Sequence, residues 1–237
     1  MKLLLFDVDG TLTPARRKIT ENMVDMLNLA KKEYVLGFVG GSDLAKQQEQ
    51  LGDAIHLFTY WFPQNGVQGY KDGIMFHDNN MVSTIGEERY QSLVNDCMRE
   101  LSSQVLPFKR GTFIEHRTGM MNVAPAGRAC SGVERDQFEK HDHEHKVRKG
   151  MVTVLSEKYL DLTFSIGGQI SIDIFPRGWD KRYCLQFLDF EKIYFFGDKT
   201  HLGGNDHEIF HDDRVQGNTV TSPTDTLNLL KTLINTQ

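Results

Sequence analysis

Continuous apolar runs alternate with helical repeats at the start of the chain. Residues 3–8 are apolar apart from Asp7, as is typical of a central parallel strand covered on both faces. Thr20 can cap a helix whose apolar residues recur at helical spacing, namely Met23, Met26, Leu27 and Ala30. The same reasoning predicts a strand over 34–39, a helix over 43–51 and a strand over 56–62. This β-α-β-α-β order predicts an open parallel α/β sheet.

The pattern changes in the middle of the chain. Asp72-Gly73 indicates a tight hairpin, and Ser131 with Glu134 forms a capping box that predicts a helix start. Over 169–175 apolar and polar residues alternate, with Ser171 and Asp173 on the polar face. Further elements are predicted as a helix between 87 and 105 and strands over 108–117, 119–124 and 162–165. Hairpin strands combined with helices predict an inserted α+β region.

The parallel pattern resumes towards the end of the chain. It predicts a helix over 180–188, strands over 192–196 and 218–221, and a helix from Pro223 to 234. The fold class is therefore α/β, a Rossmann-like parallel-sheet core interrupted by an α+β domain with an antiparallel sheet and helices. We assign residues 1–79 and 183–237 to the core and residues 80–182, which include Lys181 near the boundary, to the insert.

Composition narrows the class of protein. Hydrophobic residues make up 39% and charged residues 25%, so the chain can bury a core. A net charge of −5 gives no positive field that would attract nucleic acid or anionic lipid. The longest apolar runs fall far short of the roughly 20 residues that span a bilayer. An odd number of cysteines, 3, without a CxxC pair predicts a reducing, cytoplasmic compartment.

The first candidate chemistry is Asp7-Val8-Asp9-Gly10-Thr11, at the end of the first strand. Open α/β sheets hold their ligands at this end of their strands. One carboxylate can attack phosphorus while the other, two residues on, protonates the departing oxygen. The alternative is an ordinary Asx turn, but the apolar strand before the motif and Gly-Thr after Asp9 favour chemistry.

These residues resemble the first motif of the haloacid dehalogenase superfamily of phosphotransferases. Its other motifs match Gly41-Ser42-Asp43, Lys181, and Gly197-Asp198 followed by 203–206. The resemblance implies Asp7 as nucleophile, Asp9 as general acid and base, and Mg²⁺ as cofactor. It also implies assignments for the remaining motif residues. Mg²⁺ would be held by Asp7, the Asp9 carbonyl and Asp198. Lys181 would place positive charge beside the nucleophile, and Ser42 would donate a hydrogen bond to a phosphoryl oxygen. Asn205 would bind the substrate, and Asp206 would support the residues that do so from behind the site.

The resemblance extends over nearly the whole chain to eukaryotic phosphomannomutases. The matching stretches are 6–14, 40–43, 110–115, 119–123, 178–185 and 203–210, which include residues of the insert. In that family the insert is a cap whose arginines bind a second phosphate. The pattern falls on Arg117, Arg128 and Arg135, with Arg16 after the first motif and with Ser171 and Asp173 at the sugar. An alternative for any one arginine is a surface ion pair, for example with Glu134.

The resemblance also implies a reaction and partners. The expected reaction interconverts mannose 6-phosphate and mannose 1-phosphate, uses mannose or glucose 1,6-bisphosphate as activator and supplies GDP-mannose. A second metal site would use the Phe210 carbonyl, Asp212 and the Val215 carbonyl, and a homodimer would form through the cap. Two rival functions remain, a sugar-phosphate phosphatase of the same fold and a non-catalytic binding protein. The second is disfavoured because Asp7, Asp9, Lys181 and Asp198 are all present.

Overall fold

Two sheets organise the protein in a computed structural model that describes residues 1–15 and 17–235. The strands of the described residues are β1 (Lys2–Phe6), β2 (Val35–Val39), β3 (Tyr60–Phe62), β4 (Gln68–Lys71), β5 (Ile74–Asp78), β6 (Ile114–His116), β7 (Met121–Val123), β8 (Leu162–Gly167), β9 (Ser171–Pro176), β10 (Lys192–Gly197) and β11 (Val215–Thr219). The α-helices are α1 (Glu21–Ala30), α2 (Leu44–Leu51), α3 (Met81–Ile85), α4 (Glu87–Ser103), α5 (Gly132–His145), α6 (Val147–Lys158), α7 (His207–Phe210) and α8 (Pro223–Asn235).

The chain divides into two compact units. The core unit comprises Met1–Asp78 and Trp179–Gln237, and the inserted unit comprises Asn79–Gly178. These boundaries lie within a few residues of those expected from the sequence, and Lys181 belongs to the core unit. No α-helix among the described residues combines the length and apolar character needed to cross a bilayer.

The sheet of the core unit has the strand order β11-β10-β1-β2-β3-β4-β5. The strands from β11 to β3 are parallel, and β4 and β5 add an antiparallel hairpin. In β1 the four residues Leu3–Phe6 are fully buried. Leu4 and Phe6 pack in one hydrophobic cluster, and Leu3 and Leu5 pack in another. The continuous apolar run thus indicated correctly that this strand is covered on both faces.

The inserted unit is built on an antiparallel sheet of strand order β6-β7-β9-β8. Helix α5 begins at the predicted capping box, where the Ser131 hydroxyl accepts from the Glu134 backbone and the Glu134 carboxylate accepts from the Ser131 backbone. The helix ends at His145, and the left-handed backbone of the next residue, Lys146 (φ 55°), redirects the chain into α6. The predicted α/β core with an α+β insert is therefore confirmed.

Several element predictions were wrong in detail. His56 and Leu57, which were expected to begin the third strand, instead end a 3₁₀ helix, Gly52–Leu57, that buries Ala54 and Ile55. The helix expected over 180–188 is a 3₁₀ helix, Lys181–Phe187, whose three-residue period buries both Lys181 and Cys184. Thr20 precedes α1 without a side-chain capping bond. The remaining differences are that β6, β7 and β11 occupy other bounds than predicted, and that α3, α6 and α7 were missed.

Gln47 on α2 is a buried polar side chain without a hydrogen-bond partner among the described residues. It is fully buried, and neither its amide oxygen nor its amide nitrogen is bonded. The nitrogen lies so close to the backbone of Gly40 that a Cβ there would meet it at 2.6 Å. An unpaired buried amide costs about 1–3 kcal/mol.

We therefore expect Gln47→Met, which keeps the length of the side chain, to stabilise the protein by about 1–2 kcal/mol. Urea unfolding measures this as a higher midpoint at unchanged slope. The matched control is Gln48→Met at the exposed neighbouring position, which should leave the midpoint unchanged. A lower midpoint for Gln47→Met would show that the amide has a partner in solution.

Candidate active site

Three neighbouring parallel strands bring the predicted motif residues to one edge of the core sheet. Asp7 follows β1, Ser42 lies three residues beyond β2, and Asp198 follows β10. Strand β1 lies between β2 and β10, and Phe6 is in register with both Phe38 and Phe196. The residues that continue these strands therefore leave the sheet side by side, at its carboxyl edge.

The loop after β1 is held by its own backbone. The Val8 carbonyl accepts from the amides of Leu12 and Thr13, both at 3.0 Å. Gly10 has φ +83°, and a Cβ at this position would lie 2.4 Å from Asp198 Oδ2. Only glycine allows both this backbone conformation and this close approach. Helix α8 adds a buried bond from Thr226 Oγ1 to the Thr11 carbonyl, 2.8 Å long.

Asp7, Asp198 and Asp206 form a group of carboxylates. Each contributes an oxygen that lies within 4.8 Å of the others. Asp206 is fully buried, and its Oδ2 accepts from the Lys199 backbone at 3.0 Å. It can approach closely because residue 197 is glycine, since a Cβ there would meet the Asp206 carboxylate at 2.7 Å. The sequence placed Asp206 behind the site, whereas the structure makes it a member of this group.

Lys181 supplies the cation of the group. Its side chain is buried, and its Nζ donates to Asp7 Oδ1 and, at 2.5 Å, to Asp206 Oδ1. Burial alone would lower the pKa of Lys181, but Asp206 and Asp7 outweigh this effect and raise it. The amine of Lys181 therefore stays protonated and carries a positive charge.

Two carboxylates of this group, those of Asp7 and Asp198, are harder to ionise than ordinary ones. Burial raises the pKa of Asp7 to about 7, against the opposing effect of Lys181 and with a further increase from Asp206. Burial likewise raises the pKa of Asp198. Three ionised carboxylates and one ammonium would leave two negative charges in a site of low dielectric constant. The group therefore favours a divalent cation with oxygen ligands.

Asp9 lies in the same loop and is bonded by α2. Gln50, which is buried, donates from Nε2 to Asp9 Oδ1 at 2.7 Å and to Thr13 Oγ1 at 3.4 Å. Sequence analysis missed Gln50. The feature of the sequence that could have revealed it is the position of this glutamine on the buried face of α2, next to Leu51.

The other site residues predicted in the core unit lie outside the group of carboxylates around Asp7. Ser42 is half-buried, and its carbonyl accepts from Gln64. Asn205 is exposed. At the predicted second metal site, both carboxylate oxygens of Asp212 accept from Arg214, at 2.8 and 2.9 Å. A cation held by Asp212, Phe210 and Val215 would have to compete with this guanidinium. Arg16 lies outside the described residues.

Three of the predicted substrate residues of the inserted unit, Arg117, Arg128 and Asp173, belong to a connected polar network. Arg117 donates to Glu115 at 2.6 Å, and Arg128 Nε lies 3.4 Å from the same carboxylate oxygen. Arg128 also donates to Asn122, which in turn donates to Asp173. Ser171 lies on the same strand as Asp173, two residues before it, and is buried.

Arg135 lies in the first turn of α5, and its guanidinium turns back onto the preceding loop. It donates to the carbonyls of Cys130 and Arg128, at 3.2 and 2.8 Å. The surface pair considered for Glu134 is formed by Arg110 instead, at 2.6 Å. Arg135 is thus held near Arg128 by the backbone rather than by an acidic side chain.

The chain is similar to solved structures in fold alone, whereas it is similar to curated proteins in sequence over nearly its whole length. The Plasmodium falciparum IMP-nucleotidase is similar in fold, with a TM-score of 0.66, covering 99% of this chain and 68% of that one at 14% identity. Among curated proteins, the phosphomannomutase of Schizosaccharomyces pombe is 51% identical over 98% of this chain and 94% of its own. That of Dendrobium officinale is 53% identical over 94% of this chain and 90% of its own.

The fold and the group around Asp7 define an α/β phosphotransferase of the haloacid dehalogenase type. Residues 23–236 match the model of the family described as eukaryotic phosphomannomutase. The chain belongs to the eukaryotic phosphomannomutase family, and the resemblance inferred from its motifs is confirmed. It is accordingly an enzyme with phosphomannomutase activity, an isomerase.

Proposed function

We propose that the protein interconverts mannose 6-phosphate and mannose 1-phosphate through a phosphorylated Asp7 and a hexose 1,6-bisphosphate intermediate. The observation that carries this proposal is the buried carboxylate of Asp7 at the end of β1, bonded to Lys181 within a group of three carboxylates. Burial of a carboxylate is costly, which favours a chemical role for Asp7 over a purely structural one.

Asp7 is the proposed nucleophile. One of its oxygens attacks the phosphorus of the bisphosphate, so that an oxygen–phosphorus bond forms at Asp7 while the bond to the sugar oxygen breaks. Lys181 holds Oδ1 and so directs the other oxygen, Oδ2, towards phosphorus. Ser42 would donate a hydrogen bond to the transferred phosphoryl group. In the return step a sugar hydroxyl attacks the phosphorus and regenerates the Asp7 carboxylate.

Asp9 is the proposed general acid and base. It gives its proton to the departing sugar oxygen in the first step and takes a proton from the attacking hydroxyl in the second. Gln50 bonds Asp9 Oδ1 at 2.7 Å and so restricts the rotation of this carboxyl group. The phosphate that is not transferred would be bound by Arg117, Arg128, Arg135 and Arg16, because guanidinium groups bind phosphate with two parallel hydrogen bonds. Ser171, Asp173 and Asn205 would bind the sugar.

Mg²⁺ is the proposed cofactor, held by Asp7, the Asp9 carbonyl and Asp198. The donor set is entirely oxygen, and the two excess negative charges of the group match a divalent cation. When bound, the ion neutralises charge between the carboxylate and the phosphate. A second, weaker cation at Asp212, with the Phe210 and Val215 carbonyls, would share its carboxylate with Arg214.

We expect Mg²⁺ binding to weaken below pH 7. The pKa of Asp7 in the metal-free protein is about 7, so a proton competes with the cation at lower pH. For one competing proton, the affinity should fall about tenfold per pH unit below 7 and level off above it. Calorimetric titration with MgCl₂ at pH 5.5, 6.5 and 8 measures this. Asp7→Asn is the control and should bind more weakly with a shallower pH dependence, whereas an equal dependence would assign the proton elsewhere.

The test of the proposed function uses mannose 1-phosphate and glucose 1,6-bisphosphate with Mg²⁺, followed by phosphorus NMR. Formation of mannose 6-phosphate without loss of total sugar phosphate is the expected result. Release of inorganic phosphate without mannose 6-phosphate would instead show a phosphatase. No change in either signal would indicate that the protein is a non-catalytic binding protein of the same fold.

We also propose that the protein works in the cytoplasm, supplies mannose 1-phosphate for GDP-mannose, and forms a homodimer through the inserted unit. The cysteines of the described residues are free and buried, as suits a reducing compartment. Strand β6 lies at an edge of its sheet, beside a groove of about 580 Å³. The groove is lined chiefly by apolar side chains, including Val94, Met98, Phe113, Ile114 and Pro125. Light scattering should give twice the 27.1 kDa chain mass, and a monomer would refute the dimer.

A further inference from the structure

A row of polar side chains crosses the sheet of the inserted unit. Asn122 on β7 is in register with Glu115 on β6 and with Asp173 on β9, and Asp173 is in register with Ser165 on β8. Directly opposed residues of antiparallel strands project from the same face of the sheet. Asn122 therefore lies between Glu115 and Asp173. Glu115 is the ion-pair partner of Arg117 and Arg128, and Asp173 is the residue proposed to bind the sugar.

Asn122 is bonded at both ends of its amide. It is only 3% exposed, its Nδ2 donates to Asp173 Oδ1 at 2.6 Å, and its Oδ1 accepts from Arg128 Nη1 at 2.8 Å. The neighbours fix the orientation of the amide, because a guanidinium can only donate and an ionised carboxylate can only accept. An amide offers a donor and an acceptor at this spacing, whereas an ionised carboxylate would repel Asp173.

The contact leaves the other oxygen of Asp173 available. Its Oδ1 is taken by Asn122, whereas its Oδ2 faces Gly167, where a Cβ would approach to 2.9 Å. Glycine at this position therefore keeps space open beside Oδ2. A hexose hydroxyl could donate to this oxygen without displacing Asn122.

We propose that Asn122 is a positioning residue that links Arg128 to Asp173. It fixes the distance between a guanidinium that binds the phosphate and a carboxylate that binds the sugar, so that one hexose phosphate can contact both. The proposal rests on the proposed function of these two residues. Asn122 itself was not among the residues that the sequence singled out.

Asn122→Asp tests the proposal because it changes the hydrogen bonding with little change in shape. The new carboxylate would face Asp173 in place of a donor at 2.6 Å, and the charged groups around it would be Arg128, Asp173 and Glu115. Two carboxylates so close bind a shared proton at a raised pKa. At pH 8 the pair would repel, whereas at pH 6 the shared proton would restore a donor between the two groups.

We expect Asn122→Asp to lower kcat/KM for mannose 1-phosphate by about 10–100-fold at pH 8, mainly through KM. The ratio of variant to wild type should recover several-fold at pH 6. A purely structural role would give a loss independent of pH, accompanied by a lower Tm, and would overturn the proposal. Asn95→Asp, which adds the same charge at an exposed position of α4, is the control and should match the wild type.

Two further measurements keep the proposal testable. If Asn122→Asp does not fold, Asn122→Ser replaces it in a double-mutant cycle with Asp173→Asn. A residue that acts through Asp173 should lose most of its effect in that background, whereas additive losses would refute the link. Calorimetric binding of mannose 1-phosphate to wild type and variant needs no turnover, and equal affinities at pH 8 would also overturn the proposal. Absence of mutase turnover in the wild type would refute only the proposed function, not the proposal about Asn122, which the binding measurement still tests.

Discussion

Asp7→Asn is expected to abolish turnover of both mannose 1-phosphate and glucose 1-phosphate while the fold is retained. An amide cannot form the acyl phosphate, so the loss should reach at least about three orders of magnitude. The substitution is nearly isosteric, and the amide oxygen can still accept from Lys181. A steady-state assay with the bisphosphate activator measures the loss, and Asp25→Asn on the exposed face of α1 is the control.

The same variant should not be less stable than the wild type in the absence of metal. The folded-state pKa of Asp7, about 7, is raised above its unfolded value, so the folded protein loses stability as the pH rises from about 4 to 7. Asn avoids this loss. With EDTA at pH 8 we therefore expect an equal or higher Tm for Asp7→Asn. Residual turnover near the wild-type level would contradict the role of Asp7, and a lower Tm would contradict the electrostatic argument.

Lys181→Met should cost both activity and stability. Removing one partner from a buried ion pair leaves uncompensated charge and typically costs 3–5 kcal/mol. Here Asp7 and Asp206 both lose their only buried ammonium partner among the described residues. For a chain of this size, such a loss corresponds to a fall in Tm of roughly 10 °C.

The loss of stability in Lys181→Met should depend on pH and metal. Without the ammonium, Asp7 loses the neighbour that lowers its pKa, so its folded-state pKa rises further above the unfolded value. The difference in Tm from wild type should therefore be larger at pH 8 than at pH 5.5, and Mg²⁺ should reduce it. Differential scanning calorimetry with Mg²⁺ or EDTA measures both effects, with exposed Lys32→Met as control. A loss that is equal at both pH values would show that packing, not charge, is responsible.

Much of the core unit could be predicted because its signals are local. A strand covered on both faces has a continuous apolar sequence, as β1 does. The turn at Asp72-Gly73 requires positive φ at both residues, which the structure shows, and these residue types tolerate it. The resemblance implied that Asp7 and Asp198 lie together, and the structure brings their carboxylates close to each other because the ends of parallel strands share one sheet edge.

What escaped prediction depends on contacts between distant parts of the chain. Gln50 is 41 residues from Asp9, and nothing in its own neighbourhood distinguishes it from an exposed glutamine except the face of α2 on which it lies. The contacts of Asn122 with Asp173 and Arg128, on which its proposed linking role rests, depend on strand register and on where the chain places Arg128. The 3₁₀ geometry around Lys181 also follows from packing, because helical periods of 3 and 3.6 are hard to separate over seven residues.

Strand β1 lies between β2 and β10 in the sheet, although β10 is formed by residues 192–197. On the ribosome, the strand that precedes Asp7 thus emerges before β10 and has an unpaired edge until β10 has been synthesised. The Thr226–Thr11 bond closes even later, across 215 residues. The inserted unit, by contrast, is one continuous segment that emerges whole. The loop that follows β1 therefore gains its final contacts late in synthesis, although its own residues are among the first to be made.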